Sequence, residues 1–164
     1  MINQINFLFV TLFGIGKISK IPGSVASLVT TLFLFFLFHI LNIQPNITLI
    51  SVIIIFFISL YAVNIFIKDL DNKDPKEIVI DEFIGQSIPI CLYEIAHEGS
   101  KETHQVLTSY FIIFILFRIF DIIKPYPISY YDKNFKNSFG IIMDDVCAGL
   151  YVVAVLVIYM VFTA

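Results

Sequence analysis

The chain has 164 residues, of which 59% are hydrophobic and 14% are charged, and its formal net charge is -3. Soluble domains usually contain about 25% charged residues, so this composition excludes an ordinary soluble domain. It predicts one membrane-embedded domain over residues 1–164. The basic residues are few and scattered, which argues against a nucleic-acid partner. Cys91 and Cys147 have no metal-ligand spacing, so we expect two free thiols in the protein interior.

Apolar runs along the chain predict an all-α bundle. The runs 25–41 and 47–67 are each close to the length of about 20 residues that a bilayer core requires. The short segment 42–46 between them predicts a helical hairpin. The runs 106–123 and 145–163 predict two further membrane helices.

The stretch 79–96 is less apolar, because it contains Asp81, Glu82 and Glu94. By hydropathy alone it could be a re-entrant or an interfacial helix. If only one of the stretches 79–96 and 106–123 crossed the membrane, the acidic motifs would lie on opposite faces, so both cross or neither does. Crossing by both predicts a polytopic bundle of about five membrane helices.

The basic residues divide unequally between the two ends of such a bundle. Lys101 lies alone at one end, and nine basic residues lie at the other. These nine are Lys17, Lys20, Lys68, Lys73, Lys76, Arg118, Lys124, Lys133 and Lys136. The positive-inside rule places them in the cytoplasm. The sequence therefore predicts a multi-pass protein of a bacterial inner membrane with its polar motifs on the cytoplasmic face.

The segment "DPKEIVIDEFIG" (74–85) resembles the start of a helix. Asp74 can cap the helix, and Pro75 suits its first position. Asp81 and Glu82 are then expected about two turns into the helix. They could be an interfacial pair at a fraying helix end. Alternatively, because neighbouring acids in a low-dielectric site repel one another, they could be neutralised by a divalent cation.

The segment "FRIFDIIKPYPI" (117–128) places Arg118, Asp121 and Lys124 three residues apart, roughly on one helix face that Pro125 ends. Arg118 could simply pair with Asp121. In the functional alternative, Arg118 and Lys124 bind a phosphate, and Asp121 orients them or binds a metal.

The segment "GKISKIPGS" (16–24) precedes the first membrane helix. Its backbone N–H groups together with Lys17 or Lys20 could hold an anion near a helix N-terminus. A flexible basic approach to a membrane helix would have the same composition.

The segment "GIIMDDVCAG" (140–149) places Asp144 and Asp145 at the inner end of the last apolar run. They are expected level with the acids of the motifs at 74–85 and 117–128. Acids that hold Mg²⁺, together with bases that hold phosphoryl oxygens, are the groups that metal-assisted phosphate chemistry requires. The membrane location suggests a lipid substrate. The candidate metal ligands are Asp81, Glu82, Asp144 and Asp145.

The three acidic motifs at 74–85, 117–128 and 140–149, in this order and spacing, resemble those of the phosphatidylglycerophosphatase A family. The resemblance implies a Mg²⁺-dependent lipid phosphatase that converts phosphatidylglycerophosphate to phosphatidylglycerol and inorganic phosphate. It also implies catalytic roles for a set of acidic residues, with Arg118 and Lys124 beside them. These acidic residues are Asp81, Glu82, Asp121, Asp144 and Asp145.

Two other classes of membrane protein fit the residues less well. A CDP-alcohol phosphatidyltransferase also uses aspartates at a membrane face, but the D-G-x-x-A-R part of its motif is absent. An ion or proton pathway would distribute acids through the membrane depth. Here only Glu94 departs from the clustering at one face, which favours an enzyme.

Overall fold

The computed structural model describes residues 4–18, 20–73, 75–97 and 102–163, and these residues form helices and connecting segments without a strand. Ser19, Asp74 and Lys101, on which parts of the sequence analysis depend, lie outside these ranges. The all-α prediction is confirmed. In chain order the helices are α1 (Gln4–Val10), α2 (Ile15–Ile18), α3 (Pro22–His39), α4 (Pro45–Ile67), α5 (Ile80–His97), α6 (Thr103–Ile123), α7 (Ile128–Asn134) and α8 (Ser138–Thr163).

Among the described residues four helices, α3, α4, α6 and α8, are long and apolar enough to cross a membrane. Much of their apolar surface is exposed, as for Ile50, Ile54 and Phe57 along α4. Soluble monomers rarely expose contiguous apolar patches of this kind. The four helices therefore indicate a membrane protein.

Helix α5 lies at the centre of the bundle and packs against α3, α4, α6 and α8. Its buried residues include Ile84 and Gln86, which lie about 200° apart and so face opposite sides of the helix. α3 and α4 follow one another in the chain but have few close contacts with each other, because both pack against α5. Cys91 of α5 and Cys147 of α8 are free and buried, as expected.

Helices α5 and α8 cross with their backbones close together. A Cβ atom on Gly85 would lie 2.5 Å from the carbonyl oxygen of Asp145, and one on Gly149 would collide with the carbonyl oxygen of Gly85. Small residues at a membrane helix interface allow backbones to approach in this way. The crossing brings the acidic part of α8 next to the start of α5.

The predicted helix start near Pro75 is wrong, since α5 begins at Ile80. The backbone N–H of Val79 donates to the carbonyl oxygen of Val10, 3.0 Å away, and the Val79 side chain is fully buried. This packing holds the preceding segment against the end of α1. The acidic pair 81–82 therefore lies in the first turn of α5 and not two turns into it.

The last helix begins earlier than the predicted residue 145, at Ser138. The side chain of Asn137 accepts a hydrogen bond from the backbone N–H of Gly140, 3.0 Å away, in the manner of an N-cap. Polar capping rather than hydropathy therefore determines where this helix starts. The acidic pair 144–145 lies inside the helix and is buried.

Candidate active site

A cavity of about 490 Å³ lies where the beginnings of α3, α5 and α8 meet the end of α6. It collects acidic and basic residues that are far apart in the sequence. The candidate residues that line it are Lys20, Asp81, Glu82, Arg118, Asp121, Lys124, Asp144 and Asp145. The structure thus brings these charged groups together at one end of the bundle.

Three carboxylates form the most compact group of this cavity. Asp81, Glu82 and Asp145 each offer an oxygen, and these oxygens lie within 4.8 Å of one another. The Oε2 atom of Glu82 is buried and has no hydrogen-bond partner among the described residues. Mutual repulsion and an unsatisfied buried oxygen are both costly. Oxygen ligands of this kind suit Mg²⁺, so the donor set fits a divalent cation.

Gly23, in the first turn of α3, lies against this group. A Cβ atom at Gly23 would collide with Oε1 of Glu82 and would lie 3.4 Å from Nη1 of Arg118. The absence of a side chain therefore allows α3 to begin directly beside the carboxylate and the guanidinium. The backbone of the "PGS" segment (22–24) therefore forms part of the cavity wall.

Arg118 is held in a fixed orientation beside the acids. Its Nη1 lies 2.9 Å from Oδ2 of Asp121 and donates to Oγ of Ser27 at 3.3 Å. The Nε atom is buried without a hydrogen-bond partner among the described residues. The pairing with Asp121 therefore exists, but it leaves part of the guanidinium's donor capacity for a ligand.

Lys124 binds two carboxylates at once. Its Nζ donates to Asp132 and to Asp144, each at 2.7 Å. Burial alone would lower the pKa of Lys124, but the carboxylates of Asp144 and Asp132 outweigh it and hold this pKa above its usual value. Lys124 is therefore a protonated bridge at neutral pH.

Asp144 pairs with Lys124 and lies apart from the other three predicted metal ligands. The structure groups Asp81, Glu82 and Asp145, whereas Asp144 faces Lys124. Lys124 follows the end of α6 with a left-handed backbone, φ 48°, and so it does not continue the helix face of Arg118. That turn directs its side chain towards α7 and α8.

One candidate lies elsewhere and two contributors were missed. Lys17 is outside the cavity, with its Nζ 4.7 Å from the ring centroid of Phe7. Asp132 gave no signal in the sequence, because its role depends on the position of α7. Lys76 lines the cavity, but its sequence position served only to assign the topology.

Glu94 is the acid that departs from the cluster, and it has partners of its own. The hydroxyl of Tyr110 donates to Oε1 of Glu94 at 2.9 Å, and Nε2 of His39 lies 3.3 Å from the same oxygen. Neither Glu94 nor these partners line the cavity. The group is a separate buried polar contact.

Comparison with known proteins gives concordant matches. The family model of phosphatidylglycerophosphatase A matches residues 8–160. Phosphatidylglycerophosphatase A of Haemophilus influenzae is 36% identical over 155 residues, which cover 94% of this chain and 88% of the relative. The Escherichia coli K12 protein of that name is 30% identical over 139 residues, covering 84% and 73%.

A Bacteroides thetaiotaomicron protein with the provisional name phosphatidylinositol-3-phosphatase is 30% identical over 141 residues, which cover 85% of this chain and 83% of the relative. No solved structure matches the chain.

Proposed function

The chain belongs to the phosphatidylglycerophosphatase A family, and we propose that it hydrolyses phosphatidylglycerophosphate in the cavity where α3, α5, α6 and α8 meet. Water adds to the terminal phosphorus, and the bond from phosphorus to the glycerol oxygen breaks. The glycerol oxygen takes up a proton, which gives phosphatidylglycerol and inorganic phosphate. The observation that carries this proposal is the single cavity that holds three clustered carboxylates beside a fixed arginine.

Arg118 binds the terminal phosphate in this proposal. Asp121 and Ser27 fix its guanidinium before the substrate arrives, so little reorganisation is needed when charge builds up on the phosphoryl oxygens. The planar fork of a guanidinium matches two oxygens of one phosphate.

Asp81, Glu82 and Asp145 would hold Mg²⁺. When bound, the ion supplies positive charge that offsets the negative charge of the phosphoryl oxygens. Lys124 donates a hydrogen bond to the carboxylate of Asp144 and holds it in place.

Helix α5 is the fifth membrane helix in this proposal, and the cavity faces the cytoplasm. Its 18 residues, at about 1.5 Å per residue, reach about 27 Å. Since α5 is surrounded by α3, α4, α6 and α8, its polar side chains can avoid lipid. Nine of the ten basic residues belong to the segments at the cavity end, which supports a cytoplasmic position in a bacterial inner membrane.

Release of inorganic phosphate from phosphatidylglycerophosphate by the purified protein tests this function. We expect release with Mg²⁺, loss of release in EDTA, and recovery on adding excess Mg²⁺.

Arg118→Lys retains the charge but loses the fork, so its kcat/KM should fall about 10- to 100-fold, since charge-assisted hydrogen bonds contribute about 1.5–3 kcal/mol. Full activity in EDTA would contradict the metal role, and near-normal activity of Arg118→Lys would contradict the phosphate contact.

A further inference from the structure

Four basic side chains line the cavity, and they fall into two pairs. Arg118 and Lys124 are partly buried and are engaged by carboxylates. Lys20 and Lys76 are exposed, and neither has a carboxylate partner within the described ranges. The mouth of the cavity therefore offers two positive charges that no carboxylate of the described residues pairs with.

Apolar side chains stand at the same mouth. Ile21 is 64% exposed and Ile122 is 70% exposed, and both line the cavity. Ile21 directly follows Lys20 in the chain. The cavity thus changes from buried carboxylates at its inner wall to exposed lysines and isoleucines at its rim.

The proposed substrate has its groups in a matching order. A terminal phosphomonoester is followed by glycerol, then by a phosphodiester, then by diacylglycerol. The lipid named for the Bacteroides relative, a phosphatidylinositol phosphate, also carries a monoester on a head group that a phosphodiester links to diacylglycerol. When the monoester lies against Arg118, the negatively charged diester lies towards the rim.

We propose that Lys20 and Lys76 form a second phosphate subsite, which binds the phosphodiester of the lipid and not the phosphate that is cleaved. This inference rests on the proposed function and deepens it. It makes the two lysines determinants of specificity, because they distinguish a lipid with two phosphates from phosphatidic acid, whose single phosphate is a monoester. The rim isoleucines then contact the start of the diacylglycerol.

The test compares two lipids that have the same acyl chains, in neutral detergent micelles with Mg²⁺. One is phosphatidylglycerophosphate and the other is phosphatidic acid. The double variant Lys20→Gln/Lys76→Gln should lose about tenfold in kcat/KM for phosphatidylglycerophosphate, because charge-assisted contacts to phosphate are lost at an exposed site. For phosphatidic acid its kcat/KM should remain within about twofold of the wild type, well below one tenfold step.

Lys68→Gln/Lys133→Gln is the matched control. Both of these lysines are exposed, and neither lines the cavity, so the control has the same change in net charge and should retain the wild-type ratio of kcat/KM for the two lipids. An equal loss on both lipids in the cavity variant, or no loss on either, would overturn the second subsite. If the wild type released phosphate from neither lipid, the proposed function itself would fail. Failure of the second subsite alone would leave release from phosphatidylglycerophosphate by the wild type intact, so the two failures can be distinguished.

Discussion

Asp144 and Asp145 are neighbours in the chain but have different partners. Asp145 is 3% exposed and belongs to the three clustered carboxylates, whereas Asp144 pairs with Lys124. Successive residues of a helix point about 100° apart, so the two side chains face different elements. The backbone N–H of Asp145 also donates to Oδ1 of Asp144, 3.0 Å away. Their roles can therefore be separated by single substitutions.

Mg²⁺ should stabilise the wild-type protein against heat, because an ion that binds only the folded state raises the free energy of unfolding by about 2.7 kcal/mol at a hundredfold excess over its Kd. We expect Asp145→Asn to lose this Mg²⁺-dependent rise in Tm. Asp144→Asn should retain it, although its Tm without Mg²⁺ should be lower because Lys124 loses a partner. Thermal unfolding in detergent, with ionic strength held constant, measures both effects. An equal Mg²⁺ response in the two variants would contradict the assignment of ligands.

The convergence of the acids and the pairing of Asp121 with Arg118 were predictable from the sequence, but the bridge of Lys124 to Asp132 and Asp144 was not. Asp81, Asp121 and Asp145 lie near the ends of apolar runs, and the distribution of lysines places those ends together. The bridge from Lys124 to Asp132 depends on a left-handed residue and on the position of α7. Neither feature has a hydropathy signal.

At the scale of the helices, the crossing of α5 and α8 holds the acidic groups of both helices at the same level. The side chain of Asp145 belongs to the cluster of three carboxylates, and its backbone carbonyl oxygen contacts Gly85. Helix boundaries showed the limit of hydropathy here, because α5 starts where Val79 is bonded to Val10, and α8 starts where Asn137 provides a cap. Both boundaries depend on hydrogen bonds that composition does not reveal.

Gly85→Ala should separate the two helices. Its Cβ would lie 2.5 Å from the carbonyl oxygen of Asp145 and 2.8 Å from the Phe117 ring, and overpacking of this kind costs about 1–3 kcal/mol. We expect a lower Tm and a weaker Mg²⁺ response, both measured by thermal unfolding in detergent. Leu150→Ala, at an exposed position of α8, is the control and should change the Mg²⁺ response little. An unchanged Mg²⁺ response in Gly85→Ala would mean that the crossing does not position Asp145.

At the scale of the whole molecule, four apolar helices surround a central helix whose buried residues include Asp81, Gln86 and Glu94. The four outer helices were predictable, because their apolar runs are long. The central position of α5 was not, since a buried polar helix and an interfacial helix have similar hydropathy. The contacts of α5 with four neighbouring helices show its central position, which the sequence does not reveal.

The proposal that lipid enters the cavity past its apolar rim can be tested with a matched pair of variants. Ile122 and Ile123 are each 70% exposed, but only Ile122 lines the cavity. Ile122→Asn should lower kcat/KM for long-chain phosphatidylglycerophosphate by about tenfold or more, since an apolar side chain of this size contributes about 1.5–3 kcal/mol when covered. Ile123→Asn should have a much smaller effect on the same assay. Equal effects would show that the lipid does not pass the rim at Ile122.

The position of Gly85 against Asp145 also has a consequence for biosynthesis. The start of α5 leaves the ribosome well before α8 is made. Asp81 and Glu82 are therefore present in the nascent chain before Asp145, the third carboxylate of their cluster. The partners of that group are complete only after the last helix has been translated and inserted. Under the proposed function, hydrolysis of phosphatidylglycerophosphate therefore begins only after α8 has been inserted.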